Sequence, residues 1–318
     1  MAESSGSSTD TPPEREPVER EPMKREPLEG MPMKFGISYS TPYYGVDPEA
    51  IVAFARLAEE CGFESLYLPE HIVLYPGATV GPYEMPPSLP YVDPLDCLSF
   101  VAAATERILL GTGVLLLPYH HPVILAKRLA TIDVLSKGRM RLLTAGLGAL
   151  PGEARAMGVD FATRGRRADE AIDVLRLLWA GGEEGVSFAG EFFSFDNLCS
   201  FPKPHEATRL PIHIGGSSRA AARRAGRRGD GFFPGGALDA NERAVQWELV
   251  RSSAAEAGRD PEALEYTRFG SIDMPVERVE ELSAQGVTRI VVNAAATEPD
   301  QQREELSAFT ERFGLLMK

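Results

Sequence analysis

The sequence predicts a closed parallel β/α barrel, because eight strand-like and eight helix-like segments alternate in strict order from residue 33 onward. A second observation is the continuously apolar run Ile108–Leu117, which is typical of a strand buried on both faces. A doubly wound open sheet is the alternative. That fold usually carries a GxGxxG pattern after its first strand, and the corresponding segment here, KFGISYSTPYYG (34–45), has none.

The strand-like segments are short and rich in β-branched, aromatic and aliphatic residues, whereas the segments between them have a helical apolar period. The predicted strands are 34–39, 64–68, 108–117, 138–144, 210–214, 231–234, 264–271 and 289–293. The predicted helices are 48–61, one that begins at Asp93-Pro94, 121–135, 166–180, 218–228, 240–257, 275–285 and 300–313. In such a barrel, functional residues are expected at the carboxyl ends of the strands.

Two segments depart from this alternation. Residues 149–209 hold a helix, hairpin-like material near 186–195 and a Pro-Lys-Pro end, so we predict an insertion after strand four within a single domain of residues 33–318. Residues 1–32 repeat a five-residue unit (EREPV, EREPM, KREPL) and are rich in Pro, Glu and Arg. Such a composition cannot build a core, and we predict that these residues form a disordered tail.

The composition limits the classes of partner. A formal net charge of −13 over 318 residues argues against binding to nucleic acid or to an anionic membrane surface, and the longest apolar stretches are too short to span a bilayer. The three cysteines lack CxxC or zinc spacing, and we interpret them as buried residues of a cytoplasmic protein. Common hydrolase and P-loop motifs are also missing. We therefore expect a small-molecule substrate and no metal site.

The motif Gly215-Gly216-Ser217-Ser218 joins the fifth predicted strand to a helix. The two glycines allow a ligand to approach the backbone closely, and a serine can cap the helix. The free N–H groups of the first helical turn attract an anion, and three arginines follow on the same helix. This pattern predicts a phosphate-binding site. A glycine-rich helix start with a capping serine and no ligand is the alternative.

Glycines also occur where the third and fourth strands are expected to end. Gly113 and Val114 lie inside a buried apolar run, where glycine usually marks a bulge, a strained peptide or the close approach of a ligand. Gly146 and Gly148 follow the fourth strand and leave room near the same rim. A ligand close to these strand ends is one interpretation, and packing of the glycines against the barrel wall is the other.

A carboxylate and an imidazole, Glu70 and His71, directly follow the second predicted strand. At a barrel rim such side chains can transfer a proton or hydrogen-bond a cofactor, and both are candidate catalytic residues. A purely structural histidine is the alternative. We favour a structural role for His120 and His121, which lie at the start of a helix.

Several long motifs, taken in order, resemble the luciferase-like flavin and deazaflavin oxidoreductases, and within them the actinobacterial F420-dependent members. The motifs are AEECGFESLYLPEH (58–71), residues 93–142 around RILLGTGVLLL, MGVDFATRGRRADEAIDVLRLLW (157–179) and residues 201–234 around PIHIGGSSRAAARRAGRRGDGFFP. The resemblance covers roughly residues 34–236. It implies a (β/α)8 barrel with an insertion after strand four and a cofactor that lies over the carboxyl ends of the strands.

The resemblance also assigns residues by position. It implies that the Gly215–Ser218 motif holds the cofactor phosphate, and that a non-prolyl cis peptide behind the cofactor ring falls at Gly113–Val114. The acid–histidine pair of the family maps onto Glu70 and His71, with glutamate where aspartate is commoner. Tyr75 maps onto an aromatic residue near the ring.

One segment departs from the family pattern. Relatives commonly read LGVGxGWxPEE where this chain reads LLTAGLGALPGEA (142–154), without the tryptophan and with one extra residue. Contacts to the substrate are therefore not carried over to this segment. Glu153 is left as a minor candidate for proton transfer.

Three functions follow from these observations. The first is an oxidoreductase that transfers hydride between coenzyme F420 and a small organic substrate. The second is an FMN-dependent monooxygenase of the same fold, which would use reduced flavin, O2 and a partner reductase. The third is a barrel that binds a cofactor without catalysis. Both cofactors carry a phosphate, so the glycine–serine motif does not distinguish between them. The resemblance of residues 93–142 to F420-dependent members favours F420. Relatives are often dimers, and the resemblance implies a homodimer.

Overall fold

The computed structural model describes residues 33–236 and 238–316 and confirms the closed eight-stranded barrel. Its strands are β1 Lys34–Ser38, β2 Ser65–Leu68, β3 Leu109–Thr112, β4 Met140–Gly146, β5 Ile212–Gly215, β6 Gly231–Phe233, β7 Glu265–Ser271 and β8 Arg289–Asn293. Each strand pairs in parallel with the next along the chain, and β8 pairs with β1 to close the ring. All eight carboxyl ends therefore meet at one rim.

Ten α-helices connect the strands within the described ranges. They are α1 Thr41–Tyr44, α2 Pro48–Glu60, α3 Pro94–Ala104, α4 Pro122–Leu135, α5 Pro151–Ala156, α6 Arg164–Ala180, α7 Arg219–Arg228, α8 Ala240–Glu256, α9 Val276–Ala284 and α10 Pro299–Phe313. Several begin at side-chain caps that the sequence supplies. Asp47 caps α2, Asp93 caps α3, and Asp239 forms a capping box with Glu242 at the start of α8. The eight predicted helices are present, and the short helices α1 and α5 are additional.

The third strand differs from the prediction of one continuous run over 108–117. Strand β3 ends at Thr112, and the chain rejoins β4 only at Leu115–Leu116 before a 3-10 turn at Leu117–Tyr119. The interruption coincides with a cis peptide bond between Gly113 and Val114. The hydrophobicity of the run did not indicate this break, whereas the glycine at position 113 did indicate a bulge or an unusual peptide.

An ionic cluster fills the amino-terminal end of the barrel. The guanidinium of Arg289, 1% exposed, donates to Glu64 at 2.7 and 3.0 Å and to Glu265 at 2.7 Å. Lys34 also donates to Glu265, at 2.8 Å, and the His213 ring lies 3.3 Å from the same carboxylate. Burial opposes ionisation of Glu265, but the hydrogen bonds and charges of His213 and Arg289 outweigh it and lower the pKa of this carboxyl well below its usual range. These contacts occupy the lower end of the barrel with paired charges.

An apolar layer lies above these charges. It consists of Tyr67, Leu142, Phe233 and Val291, all buried. Gly111 leaves space for the Tyr67 ring, because a Cβ at this position would lie 2.9 Å from Tyr67 Cε1. The interior is therefore packed rather than open, and a ligand has access from the carboxyl-terminal rim.

Part of the predicted insertion belongs to the outer helix layer. Helix α6 lies between α4 and α7: Trp179 Nε1 donates to the Ala126 carbonyl at 3.1 Å, and Asp169 binds Arg224 on α7. Of segment 149–209, α5 and the antiparallel pair Val186–Ala189 and Ser194–Leu198 are therefore extra to a β/α repeat. The expectation of three buried cysteines is wrong for Cys199, which is exposed next to this pair. The tail predicted for residues 1–32 lies outside the described residues.

Candidate active site

Val114 lies between two glycines at the rim. The Gly113–Val114 peptide bond is cis, as the resemblance implied. A Cβ on Gly215 would lie 2.6 Å from Val114 Cγ1, and a Cβ on Gly146 would overlap Val114 Cγ2. The ends of β3, β4 and β5 thus pack together at a single valine side chain. The structure shows close packing of these glycines around Val114, whereas the other interpretation, a ligand close to the strand ends, stays a prediction.

A threonine pair braces this point from below. Thr112 Oγ1 donates to the Thr144 carbonyl and accepts from the Thr144 N–H, both at 3.0 Å, so one side chain links β3 to β4 where their register shifts. The Thr144 hydroxyl is buried and has no partner among the described residues. Its Cγ2 lies under Gly215, 3.5 Å from where a Cβ would be. The base of the rim is therefore closely packed and holds one buried polar atom without a partner among the described residues.

The Gly215–Ser218 motif adopts the geometry of an anion site. Gly216 has φ +107°, a conformation that favours glycine, and Ser218 caps α7 by accepting from the Ala221 N–H at 3.1 Å. The N–H groups of Arg219 and Ala220 precede the helical hydrogen-bond pattern and have no partner among the described residues. These donors, with the positive end of the helix dipole, can bind a phosphate.

Neighbouring segments hold Ser217 in place. The Gln246 side chain of α8 is buried and donates to the Ser217 carbonyl, and Gly236 in the loop after β6 faces the Ser217 hydroxyl. Of the arginines on α7, Arg224 is committed to α6, because it donates to Asp169 at 2.6 Å and to the Gly165 carbonyl at 3.1 Å.

Two further arginines remain exposed on the same helix. Arg219 and Arg223 have no ion pair within the described part of the chain. They, and not Arg224, can add positive charge to the site.

Glu70 and His71 are adjacent in sequence, but the structure gives them different partners. The Glu70 carboxylate is 4% exposed. It accepts from the Leu116 N–H at 2.5 Å and lies 2.9 Å from His120 Nε2. It therefore ties β2 to the segment that follows the cis peptide. Both carboxylate oxygens of Glu70 already have hydrogen-bond partners within the described residues, which favours a positioning role.

His71 is paired with Glu153 instead. Its Nδ1 lies 3.2 Å from Glu153 Oε2, and its ring packs edge-on against Tyr91 with centroids 4.9 Å apart. Glu153 has no exposed surface, and its Oε1 accepts from the Ile72 N–H at 2.7 Å. His71 Nε2 has no hydrogen-bond partner in the described ranges. The geometry leaves this nitrogen available to a ligand.

Aromatic side chains surround the acid. Tyr75 accepts from the Gly152 N–H at 3.3 Å, and Tyr119 packs on Gly148, which has φ +76° and no room for a Cβ. Burial, and then the charge of Glu153, raise the pKa of Tyr119 to about 12, and the same causes raise the pKa of Tyr91. These phenols are therefore neutral near pH 7. Tyr75 and Gly148 contact α5 or the 3-10 turn, and their proposed contact with a cofactor remains a prediction.

The sequence-derived candidates thus form two groups at one rim. The first is the Gly215–Ser218 motif beside Val114, a candidate phosphate cradle, and the second is His71 with Glu153. Sequence reasoning missed the partners: His120 was assigned to helix packing and Gln246 was not noticed. A helix cap such as Asp93 can be recognised from neighbouring residues in the sequence. The contacts of His71, Glu70 and Gln246 instead join residues 29 to 82 positions apart, and only the fold brings them together.

Two further observations concern other classes of site. No cluster of three or more histidines, cysteines or acidic residues suited to a metal ion occurs within residues 33–236 and 238–316. In the same ranges, no helix combines the length and apolar character needed to cross a membrane.

Known proteins similar to this chain include enzymes of two kinds. An F420-dependent glucose-6-phosphate dehydrogenase from Microbacterium testaceum is 34% identical over 207 residues, which are 64% of this chain and 56% of that protein. The 4-hydroxyprotoasukamycin monooxygenase of Streptomyces nodosus subsp. asukaensis is 32% identical over 213 residues, 64% of this chain and 53% of that protein. The matches thus span little more than half the length of these relatives.

Comparison of folds and of family patterns extends over more of the chain. A solved F420-dependent secondary alcohol dehydrogenase, in complex with an F420-acetone adduct, aligns with a TM-score of 0.73 at 18% identity, covering 90% of this chain and 99% of that one. At this identity the likeness concerns the fold alone. The model of the luciferase-like monooxygenase family matches residues 33–307, nearly the whole of the described barrel. The chain therefore belongs to the luciferase-like monooxygenase family.

Proposed function

We propose that this chain is an oxidoreductase that transfers hydride between coenzyme F420 and a small organic substrate. The observation that carries the proposal is the Gly215–Ser218 cradle, which lies beside Val114 at the carboxyl-terminal rim. The similarity to an F420-dependent dehydrogenase supports the choice of cofactor. The resemblance of residues 93–142 to F420-dependent enzymes supports the same choice.

The residues at the rim fit a phosphate-bearing ring cofactor. Gly216 and Ser217 expose backbone and hydroxyl groups to an anion at the start of α7, and Gly215 brings the backbone of β5 against Val114. The braced strand ends hold Val114 fixed as a surface against which a ring could pack. When bound, F420 supplies a carbon that donates or accepts hydride. The protein supplies binding, a fixed orientation and a proton partner.

His71 is the proton partner in this proposal. Its Nδ1 is held by Glu153 and its Nε2 is free among the described residues, so Nε2 can accept or return a proton at a substrate oxygen. Glu70 is assigned to the framework, because its carboxylate is already bound by Leu116 and His120. Of the two catalytic candidates, His71 is thus proposed to transfer the proton and Glu70 to hold the surrounding backbone in position.

The second candidate function is an FMN-dependent monooxygenase, and the similarity to 4-hydroxyprotoasukamycin monooxygenase is the observation that favours it. The same phosphate cradle would hold FMN. Such an enzyme would require reduced flavin from a partner reductase. Reduced F420 reacts poorly with O2, so oxygen dependence separates the two functions.

The test is turnover with and without oxygen. Purified protein is incubated with F420 and a panel of alcohols, aldehydes and sugar phosphates under anaerobic conditions, while the deazaflavin absorbance is followed. In parallel, reduced FMN and O2 are supplied and oxygen uptake is measured with the same panel. We expect a substrate-dependent change in F420 that needs no oxygen. Product formation only with reduced FMN and O2 would contradict the proposal.

A further inference from the structure

We propose that Glu153 is the positioning residue of His71: it keeps the ring proton on Nδ1 and so leaves the Nε2 lone pair as the proton acceptor. The inference rests on the proposed function, in which His71 is the proton partner. It reassigns the acid of the acid–histidine pair from the neighbouring Glu70 to a residue that lies 82 positions away in sequence.

The first step is the geometry around Glu153. The side chain is completely buried, and Oε1 lies 2.7 Å from the Ile72 N–H and 3.4 Å from the Val73 N–H. A backbone N–H only donates, so Oε1 is an acceptor. Oε2 faces His71 Nδ1 at 3.2 Å. A carboxylate has no proton to give, and therefore Nδ1 must carry the hydrogen that joins them.

The second step excludes Glu70 from this role. Its Oε2 accepts from the Leu116 N–H at 2.5 Å, and both of its oxygens lie within 3.1 Å of His120 Nε2. With these contacts Glu70 has no hydrogen bond to His71 among the described residues. Glu70 and His71, although consecutive, thus belong to two different histidine–carboxylate pairs: Glu70 pairs with His120, and His71 pairs with Glu153. In the second pair, His71 Nε2 is left free among the described residues.

The third step is what the arrangement does to a proton. A neutral His71 with hydrogen on Nδ1 can take a proton only on Nε2. The imidazolium that forms then keeps its Nδ1–H directed at the Glu153 carboxylate, which stabilises the charge. Tyr91 packs on the ring edge and restrains its rotation. Glu153 lies on helix α5, within the segment 142–154 that departs from the family pattern. That segment therefore contributes a residue that positions His71, which follows β2.

Glu153→Gln provides a sharp test. The Ile72 N–H still requires an acceptor, so the amide oxygen keeps the Oε1 position and the NH2 group faces His71 Nδ1. An NH2 group donates, so Nδ1 must become the acceptor and the proton moves to Nε2. Glu170→Gln is the matched control, because Glu170, like Glu153, accepts from consecutive backbone N–H groups (three, against two for Glu153) but has no histidine partner among the described residues.

The tautomer is read directly from the 15N and carbon-bound 1H resonances of the His71 ring. The chain has five histidines, so spectra of His71→Asn suffice to assign this ring. We expect hydrogen on Nδ1 in the wild type, in Glu170→Gln and in Glu153→Asp, and hydrogen on Nε2 in Glu153→Gln. Hydrogen on Nε2 in the wild-type protein would overturn the proposal, and this result needs no variant to fold. An unchanged tautomer in folded Glu153→Gln would also overturn it.

These spectra need no cofactor, so the inference and the proposed function fail separately. Failure to bind F420 would remove the proposed function and leave the tautomer result intact. In the loaded enzyme we expect Glu153→Gln to lower kcat about 10²–10⁴-fold, as a wrong imidazole tautomer does in hydrolytic triads, while the Kd of F420 stays within about twofold. An equal loss of kcat in Glu170→Gln would indicate a structural effect and contradict the positioning role.

Discussion

The contact of Val114 with Gly146 and Gly215 yields a prediction whose size can be worked out from the structure. Neither glycine has a positive φ, so alanine is compatible with the backbone at both positions. The obstacle is Val114, whose Cγ1 would lie 2.6 Å from a Cβ on Gly215. Since carbon atoms prefer separations of about 3.5–4.0 Å, the overlap is on the order of 1 Å.

We expect Gly215→Ala and Gly146→Ala each to lower the free energy of unfolding by about 1–3 kcal/mol through overpacking. Val114→Ala alone should cost about 1 kcal/mol, because the side chain is only half-buried. Combined with either alanine, it removes the atoms that clash. The double variants should therefore be more stable than the sum of the single effects by about 1–3 kcal/mol.

Urea unfolding of the singles and doubles measures this coupling. Gly235→Ala is the control, because no atom lies within 4 Å of its added Cβ and its φ is not positive. It should change stability by less than about 0.5 kcal/mol. Additive losses in the double variants would refute the packing argument. Because any side chain at Gly215 would also displace Val114, a charge intended to test phosphate binding is better placed at Ser217.

Three further predictions concern binding, catalysis and acid stability. Ser217→Asp should weaken F420 binding about 100-fold by placing a negative charge beside the phosphate, while the same change at exposed Ser194 should leave the Kd unchanged; equal Kd values would remove the cradle assignment. His71→Ala should lower kcat about 10²–10⁴-fold with little change in the Kd of F420, and the reverse pattern would make His71 a binding residue. Burial opposes ionisation of Glu265, but the partner His213 helps to lower its folded pKa below the ordinary 4.5. The stability it contributes is thus present above about pH 4.5 and lost as the pH falls further, so urea unfolding of Glu265→Gln should show a smaller loss between about pH 5 and 3 than the wild type.

The order of strands and helices could be predicted because each element has a local signal. Pro48 and Pro94 mark helix starts, and short β-branched runs such as 289–293 mark buried strands. The break in the third strand could not be predicted from hydrophobicity, since residues 108–117 are uniformly apolar on both sides of it. Gly113 inside the run was a local sign of a bulge or an unusual peptide, and the resemblance specified a cis peptide at Gly113–Val114.

The residues of the candidate site also divide into those with a local sequence signal and those without one. The cradle at Gly215–Ser218 has a local signature, since glycine and a capping serine at a helix start are recognisable in any sequence. The partners of Glu70 and His71 have none. Glu153 reaches His71 because α5 folds back over the loop after β2, and the sequence in this segment departs from the family pattern. Contacts that depend on such long-range placement require the structure.

The proposed F420-dependent function is tested first by equilibrium binding of F420 and FMN to the purified protein, each in oxidised and reduced form, followed by fluorescence or absorbance. We predict tight binding of F420 and weak binding of FMN, with the F420 affinity lowered about 100-fold in Ser217→Asp. A preference for reduced FMN would contradict it and would indicate an oxygen-using monooxygenase that depends on a partner reductase.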